Sequence, residues 1–121
     1  MKPKNDSQHN ADVTGVIFRR WRTECGAERI FAVFPEIPSD SSGRLCLSYE
    51  HVGQHGAASP AVVLQRSAPA KPAEYRDLQA ELEQIGYTLQ VLRRFPARAI
   101  EARREYLKRF DQTLVVEGKT P

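Results

Sequence analysis

The chain has little of what usually announces a function. Its 121 residues hold two cysteines, one methionine and one tryptophan. Cys25 and Cys46 are far apart in sequence, which excludes a zinc knuckle built on Cys-x-x-Cys pairs. No apolar run approaches the roughly 18 residues that a membrane-spanning helix needs. The polar stretch 1–12 lacks the apolar segment of a secretory signal, so a cytoplasmic location with reduced thiols is expected. There is no phosphate-cradling glycine loop, nucleophile elbow or hydrolase pattern. Internal repeats are missing too, which excludes a solenoid or propeller. A net charge of only +3 gives no strong field of one sign.

What is present suits an ordinary globular chain: 40% hydrophobic and 27% charged residues, with five Phe and four Tyr. The length suits one domain that buries a core without disulfide or metal staples. Charge is unevenly spread. Segment 93–109 holds seven cations (Arg93, Arg94, Arg98, Arg103, Arg104, Lys108, Arg109) against Glu101 and Glu105, whereas the rest of the chain is slightly acidic. That segment predicts a basic surface able to attract phosphates or acidic partners.

Residues 1–12 read as a flexible N-terminal arm, 13–110 as a single α+β domain and 111–121 as a C-terminal tail, with 114–116 left open between a short strand and a docked tail. Val16-Ile17-Phe18-Arg19-Arg20-Trp21 and Arg29-Ile30-Phe31-Ala32-Val33-Phe34 are β-branched and aromatic, and the turn at 24–27 joins them as a hairpin. Pro35 and Pro38 are expected to stop the second strand. Strand three, 44–50, alternates: Leu45, Leu47 and Tyr49 face one way, Cys46, Ser48 and Glu50 the other. A loop through Pro60 precedes a fourth strand at 61–65. A helix begins at Pro72 and stops at Gly86, with Tyr75, Leu78, Leu82 and Ile85 on its inner stripe. A fifth strand over 87–92 and a second helix from Phe95-Pro96 to about Phe110 follow, the latter with Ile100, Tyr106, Leu107 and Phe110 on one side. The order β-β-β-β-α-β-α predicts a mainly antiparallel sheet of about five strands. Its first helix packs on the face carrying Leu45, Leu47, Tyr49, Leu89 and Val91, and a basic C-terminal helix follows. The opposite, half-polar face shows Cys46, Ser48, Glu50, Thr88 and Gln90 to water or to a ligand.

Chemistry concentrates in Ser48-Tyr49-Glu50-His51-Val52-Gly53-Gln54-His55-Gly56, which holds two of the three histidines at a strand end. Its glycines let the segment bend, and imidazole supplies a base, a metal ligand or a hydrogen-bond donor. Ser48, Glu50, His51, Gln54 and His55 therefore form a candidate binding loop. Cys25, Cys46, His51 and His55 are a weaker candidate zinc set, because His-x-x-x-His aligns two rings only on a helix. Ser48, Glu50, His51 and His55 would carry acid–base or nucleophilic chemistry only if they converged. Arg19, Arg20, Trp21, Arg22 and Arg29 offer phosphate pairing and base stacking near the first hairpin.

Three stretches resemble the core of small uncharacterised proteins carried by phages, plasmids and integrating elements. These are Val16 to Trp21, Phe34-Pro35-Glu36-Ile37-Pro38, and the segment from Ser48 to Gly56. Glu74-Tyr75 and the run Glu81-Leu82-Glu83-Gln84-Ile85-Gly86-Tyr87 fit the same pattern. The resemblance spans about residues 16–92 and implies a cytosolic accessory factor of a mobile genetic element, without an activity to carry over.

The expectation is a non-enzymatic binding protein that needs no cofactor. It would contact a protein partner through loop 51–56 and its basic C-terminal helix. Sequence-independent nucleic-acid binding is the alternative, with a small metal-assisted hydrolase centred on His51 and His55 as another. No membrane partner is expected. A second copy of the chain, through a sheet edge or the C-terminal helix, is a further candidate partner.

Overall fold

The computed structural model describes residues 13–23, 25–50 and 54–118. The fold is α+β, built on a mainly antiparallel six-stranded sheet. Strands β1 (Thr14–Arg22) and β2 (Glu28–Pro38) form the expected hairpin, with Ile17 opposite Val33 and Trp21 opposite Arg29. Their turn closes through Thr23 N–H to the Ala27 carbonyl at 2.8 Å. β3 (Cys46–Glu50) pairs with β2, and β4 (Gln54–Ala58) pairs with β3, giving the order β4-β3-β2-β1-β5. The other edge of β1 is shared. Two-residue β5 (Ala68–Pro69) pairs antiparallel with Arg19 and Arg20, and β6 (Leu89–Val91) runs parallel beside Thr14–Val16.

Helix α1 spans Pro60–Arg66, α2 Pro72–Ile85 and α3 Ala99–Gly118. For α2 the local chemistry is legible. Pro72 stands in its first turn, Glu74 accepts from the Lys71 N–H at 2.8 Å, and Gly86 ends it at φ 129°. α2 covers one sheet face, where Val16, Phe18, Ala32, Phe34, Tyr49, Leu78 and Leu82 form the main core. Leu47, Tyr87 and Leu89 pack against it. Phe18 stacks on Tyr75 with ring centroids 4.2 Å apart, and Phe34 on Tyr87 at 5.0 Å. The second face carries a smaller cluster of Val33, Cys46 and Val63, with Phe31, Ala58 and Phe95 beside it. Cys46, Ser48 and Glu50 lie on this side, as their alternation requires, but α1 partly roofs it.

Several expectations are corrected. The run 61–65 is helix, not strand: Pro60 opens α1 and the ladder position beside β3 belongs to 54–58. A short apolar run has no period that separates helix from strand, and only Val63 of this one is buried. β2 continues through Pro35 to Pro38 because a register shift between Phe34 and Pro38 relieves the ladder of donors that prolines lack. Ile85 and Val91 are exposed rather than core, and Leu45 lies in the turn before β3. α3 starts at Ala99 and its backbone stays helical through Gly118, so 111–118 is not a separate tail and 114–116 is not a strand. That helix turns Ala99 and Arg103 inward, leaving Ile100 and Tyr106 exposed; Leu107 reaches the turn at Gly43.

The reason is polar rather than apolar. Arg103, 4% exposed, donates from Nε to the Gly43 carbonyl at 2.7 Å and from Nη1 to the Pro35 carbonyl at 2.7 Å. It satisfies two acceptors that the bulged end of β2 and the following turn leave over. Gly43 adopts φ 80°, and a Cβ there would come within 3.2 Å of Arg104 Cγ, so both backbone and space favour glycine in this turn. Among the described residues no helix is long and apolar enough to cross a membrane.

Candidate recognition cleft

The described members of the candidate histidine loop, Ser48, Glu50 and His55, do not share one face of the sheet. His51 and residues 52–53 lie outside the described residues, as does the Gln54 side chain. His55 belongs to β4 and is exposed on the α2 face. Its ring meets Tyr49 edge-on at 4.8 Å, and its Nε2 hydrogen-bonds the Tyr87 hydroxyl at 2.9 Å. The Tyr49 hydroxyl in turn donates to the Glu81 carboxylate on α2. Burial raises the Tyr87 pKa above its ordinary value, with Tyr106 adding to the effect. Ser48 and Glu50 point to the opposite face. Register separates them from His55, since Tyr49 pairs with His55 and Ser48 with Gly56.

The described candidate zinc ligands, Cys25, Cys46 and His55, lie apart from one another. Cys46 is buried on the second face, its thiol donating to the Ala58 carbonyl at 3.5 Å, and burial pushes its pKa up to about 11. Cys25 is exposed in the β1–β2 turn, where Thr23 at 3.3 Å holds its thiol below the ordinary value. Among the described residues no three His, Cys, Asp or Glu side chains group as metal ligands.

Of the expected basic surface, Arg103 is the exception: it is internal, as described above. Arg93, Arg94, Arg98, Arg104, Lys108 and Arg109 are exposed, with Arg98 ion-paired to Glu101 at 2.5 Å. The hairpin cations are also partly committed. Arg20 and Arg22 both reach Glu28, at 3.6 and 3.2 Å. Arg19, 6% exposed, donates from Nε to Ser67 Oγ at 2.9 Å and from Nη2 to the Ser67 carbonyl at 2.7 Å. Nη2 also reaches the Val63 carbonyl at 3.5 Å. A strand cation thus caps the C-terminal end of α1, where loose carbonyls favour positive charge. Burial lowers the Arg19 pKa from its ordinary value.

That clamp fixes α1 over β1 and β2 and leaves a cleft of about 310 Å³ beneath the helix. Trp21, Phe31 and Val62 supply apolar wall; Ser48, Glu50 and Arg66 supply polar groups. Trp21 stands edge-on to Phe31 at 6.3 Å and is 39% exposed. Two further depressions adjoin, one with Arg20, Arg22 and Glu28, the other with Thr23 and Cys25, and both share Trp21 and Arg66 with the first. Cross-strand pairing sets Arg29 beside Trp21. The sequence singled out Trp21 and Arg29 but missed Phe31, Val62 and Arg66 as part of one site. The available signal was Arg19, a charge between Ile17 and Trp21 on one strand face, which had to find an internal partner.

No protein-family model matches the chain, and no curated protein or solved structure matches it either.

Proposed function

We propose that this is a non-enzymatic binding protein that captures a protein partner in the cleft between α1 and the sheet. The exposed cations of 93–109 act as a second, electrostatic contact. The observation that carries the reading is the convergence of three depressions on one exposed tryptophan and one arginine. Trp and Arg are the residue types that most often dominate binding energy at protein interfaces. Apolar walls with a few polar groups suit a bulky side chain entering from the partner, with Arg66 and Glu50 fixing its orientation. The separation of Ser48 and Glu50 from His55 speaks against a hydrolase using those groups together. The sequence resemblance supports a role as a cytosolic accessory factor of a mobile genetic element.

Affinity capture from the cytosol of the source cell tests this, comparing the unaltered chain with a Trp21→Ala/Arg66→Glu variant of unchanged circular dichroism. Loss of the captured protein with the variant supports the cleft, and unchanged capture refutes it. Capture abolished by nuclease and falling steeply with salt would instead favour nucleic acid held by Trp21 and the surrounding arginines.

A further inference from the structure

On the far side of β1, away from the cleft, the sheet edge is interrupted. β6 follows β1 only as far as Val16, and β5 takes up the pairing at Arg19. The last bond on one side is Leu92 N–H to the Val16 carbonyl at 2.7 Å; the first on the other is Ala70 N–H to the Phe18 carbonyl at 3.1 Å. Pro69 and Pro72, which have no N–H, flank Ala70 and Lys71 and keep the ladder from closing over the gap. What remains between the two strands is a recess of about 440 Å³ beside Ile17.

Its walls are apolar: the Phe18–Tyr75 stack, Pro72, Val91 and Leu92. Leu92 lies across Gly15. A Cβ there would lie 2.9 Å from Leu92 Cδ1, so a larger residue would push the Leu92 side chain aside. Arg93 is the only charged residue in the lining, and no ion pair or hydrogen bond engages its guanidinium among the described residues. Val91, 38% exposed, leaves apolar surface beside that cation. The volume lies within the range of small-ligand sites, which pair mostly apolar walls with a few polar groups.

We infer that this recess between β5 and β6 binds a hydrophobic monocarboxylate, its apolar body against Phe18, Tyr75 and Leu92 and its carboxylate on Arg93. A neutral apolar molecule would leave the arginine unused. A polyanion such as a nucleotide would bring charges that the apolar walls cannot solvate. Guanidinium–carboxylate pairing is bidentate, so Arg serves here better than Lys. The ligand would bridge two strands that share one edge of β1 and would raise thermal stability by mass action.

The test uses the full chain with octanoate and phenylpropionate as probes, read by calorimetry and by the shift of the unfolding midpoint. Saturable binding to one of them is expected, weakened about tenfold or more by Arg93→Ala and less by Arg93→Lys, because roughly 1.4 kcal/mol corresponds to tenfold. Octanol should bind at least about tenfold more weakly than octanoate by the same arithmetic. Val91→Asp, which places a like charge at the mouth, should also abolish binding without altering circular dichroism. No saturable binding of either acid, or binding that neither substitution changes, would overturn the inference. Binding also unchanged by Trp21→Ala would show this site to be independent of the cleft.

Discussion

The two faces of the sheet are held by different physics. Under α2 the contacts are apolar and aromatic: Phe34, Tyr49 and Leu82 are fully buried, and each such side chain contributes about 1.5–3 kcal/mol through removal from water. Under α1 the burial is thinner, only Val63 of the helix being enclosed, and the helix is held by Arg19 through its last carbonyls. An apolar contact must close tightly to stabilise, because gaps forfeit attraction. A guanidinium clamp acts at one point and tolerates open space beside it. The cleft lies beside that clamp. The lesson is that arginine fastening lets an element be fixed and its flank stay open.

The largest effect that would break this contrast is expected on the α2 face. Phe34→Ala should destabilise by about 3–5 kcal/mol in chemical denaturation, since it empties a fully enclosed site stacked on Tyr87. Next comes Arg103→Ala, expected to cost about 2–3 kcal/mol by leaving the Gly43 and Pro35 carbonyls unpaired. Arg103→Lys should recover part of it, since an ammonium retains the charge but reaches the two acceptors less well. A loss as small as that of an exposed cation would contradict the clamp.

Cys46 sharpens the comparison through pH. Its folded pKa of about 11 lies above the ordinary thiol value, so the unfolded thiol ionises first as pH rises. The stability tied to its neutral form is complete below pH ~9 and lost on the order of 2 kcal/mol between roughly 9 and 11. The drop in unfolding midpoint over that interval should be smaller in Cys46→Ala. In the native protein at neutral pH, a thiol reagent should modify exposed Cys25 promptly and Cys46 only on unfolding. Smallest of all, Trp21→Ala should change stability by less than about 1 kcal/mol, because its ring is already partly in water.

What was legible in the sequence follows the same division. α2 announced itself through Pro72, Glu74 and Gly86, residues that act within a turn of where they stand. The first hairpin was equally local. α1 was not, because Ala61 to Gln65 carries no period and its fate depends on β4 having taken the edge. The roles of Arg19 and Arg103 depend on acceptors about 48 and 60–68 residues away, created only when the chain has folded. Each therefore read as surface charge. Segment 48–56 held the right residue types for a site, but strand parity sent His55 to one face and Ser48 and Glu50 to the other. Parity was readable; the strand boundary that sets it was not.

Hydrogen exchange of the protein alone and with its captured partner tests the recognition surface most directly. Slowed exchange strongest at residues 19–22 and 60–67, with a weaker effect at 93–109 and 72–85 unchanged, is the predicted result. Protection restricted to 72–85 or to 99–118 would contradict the account.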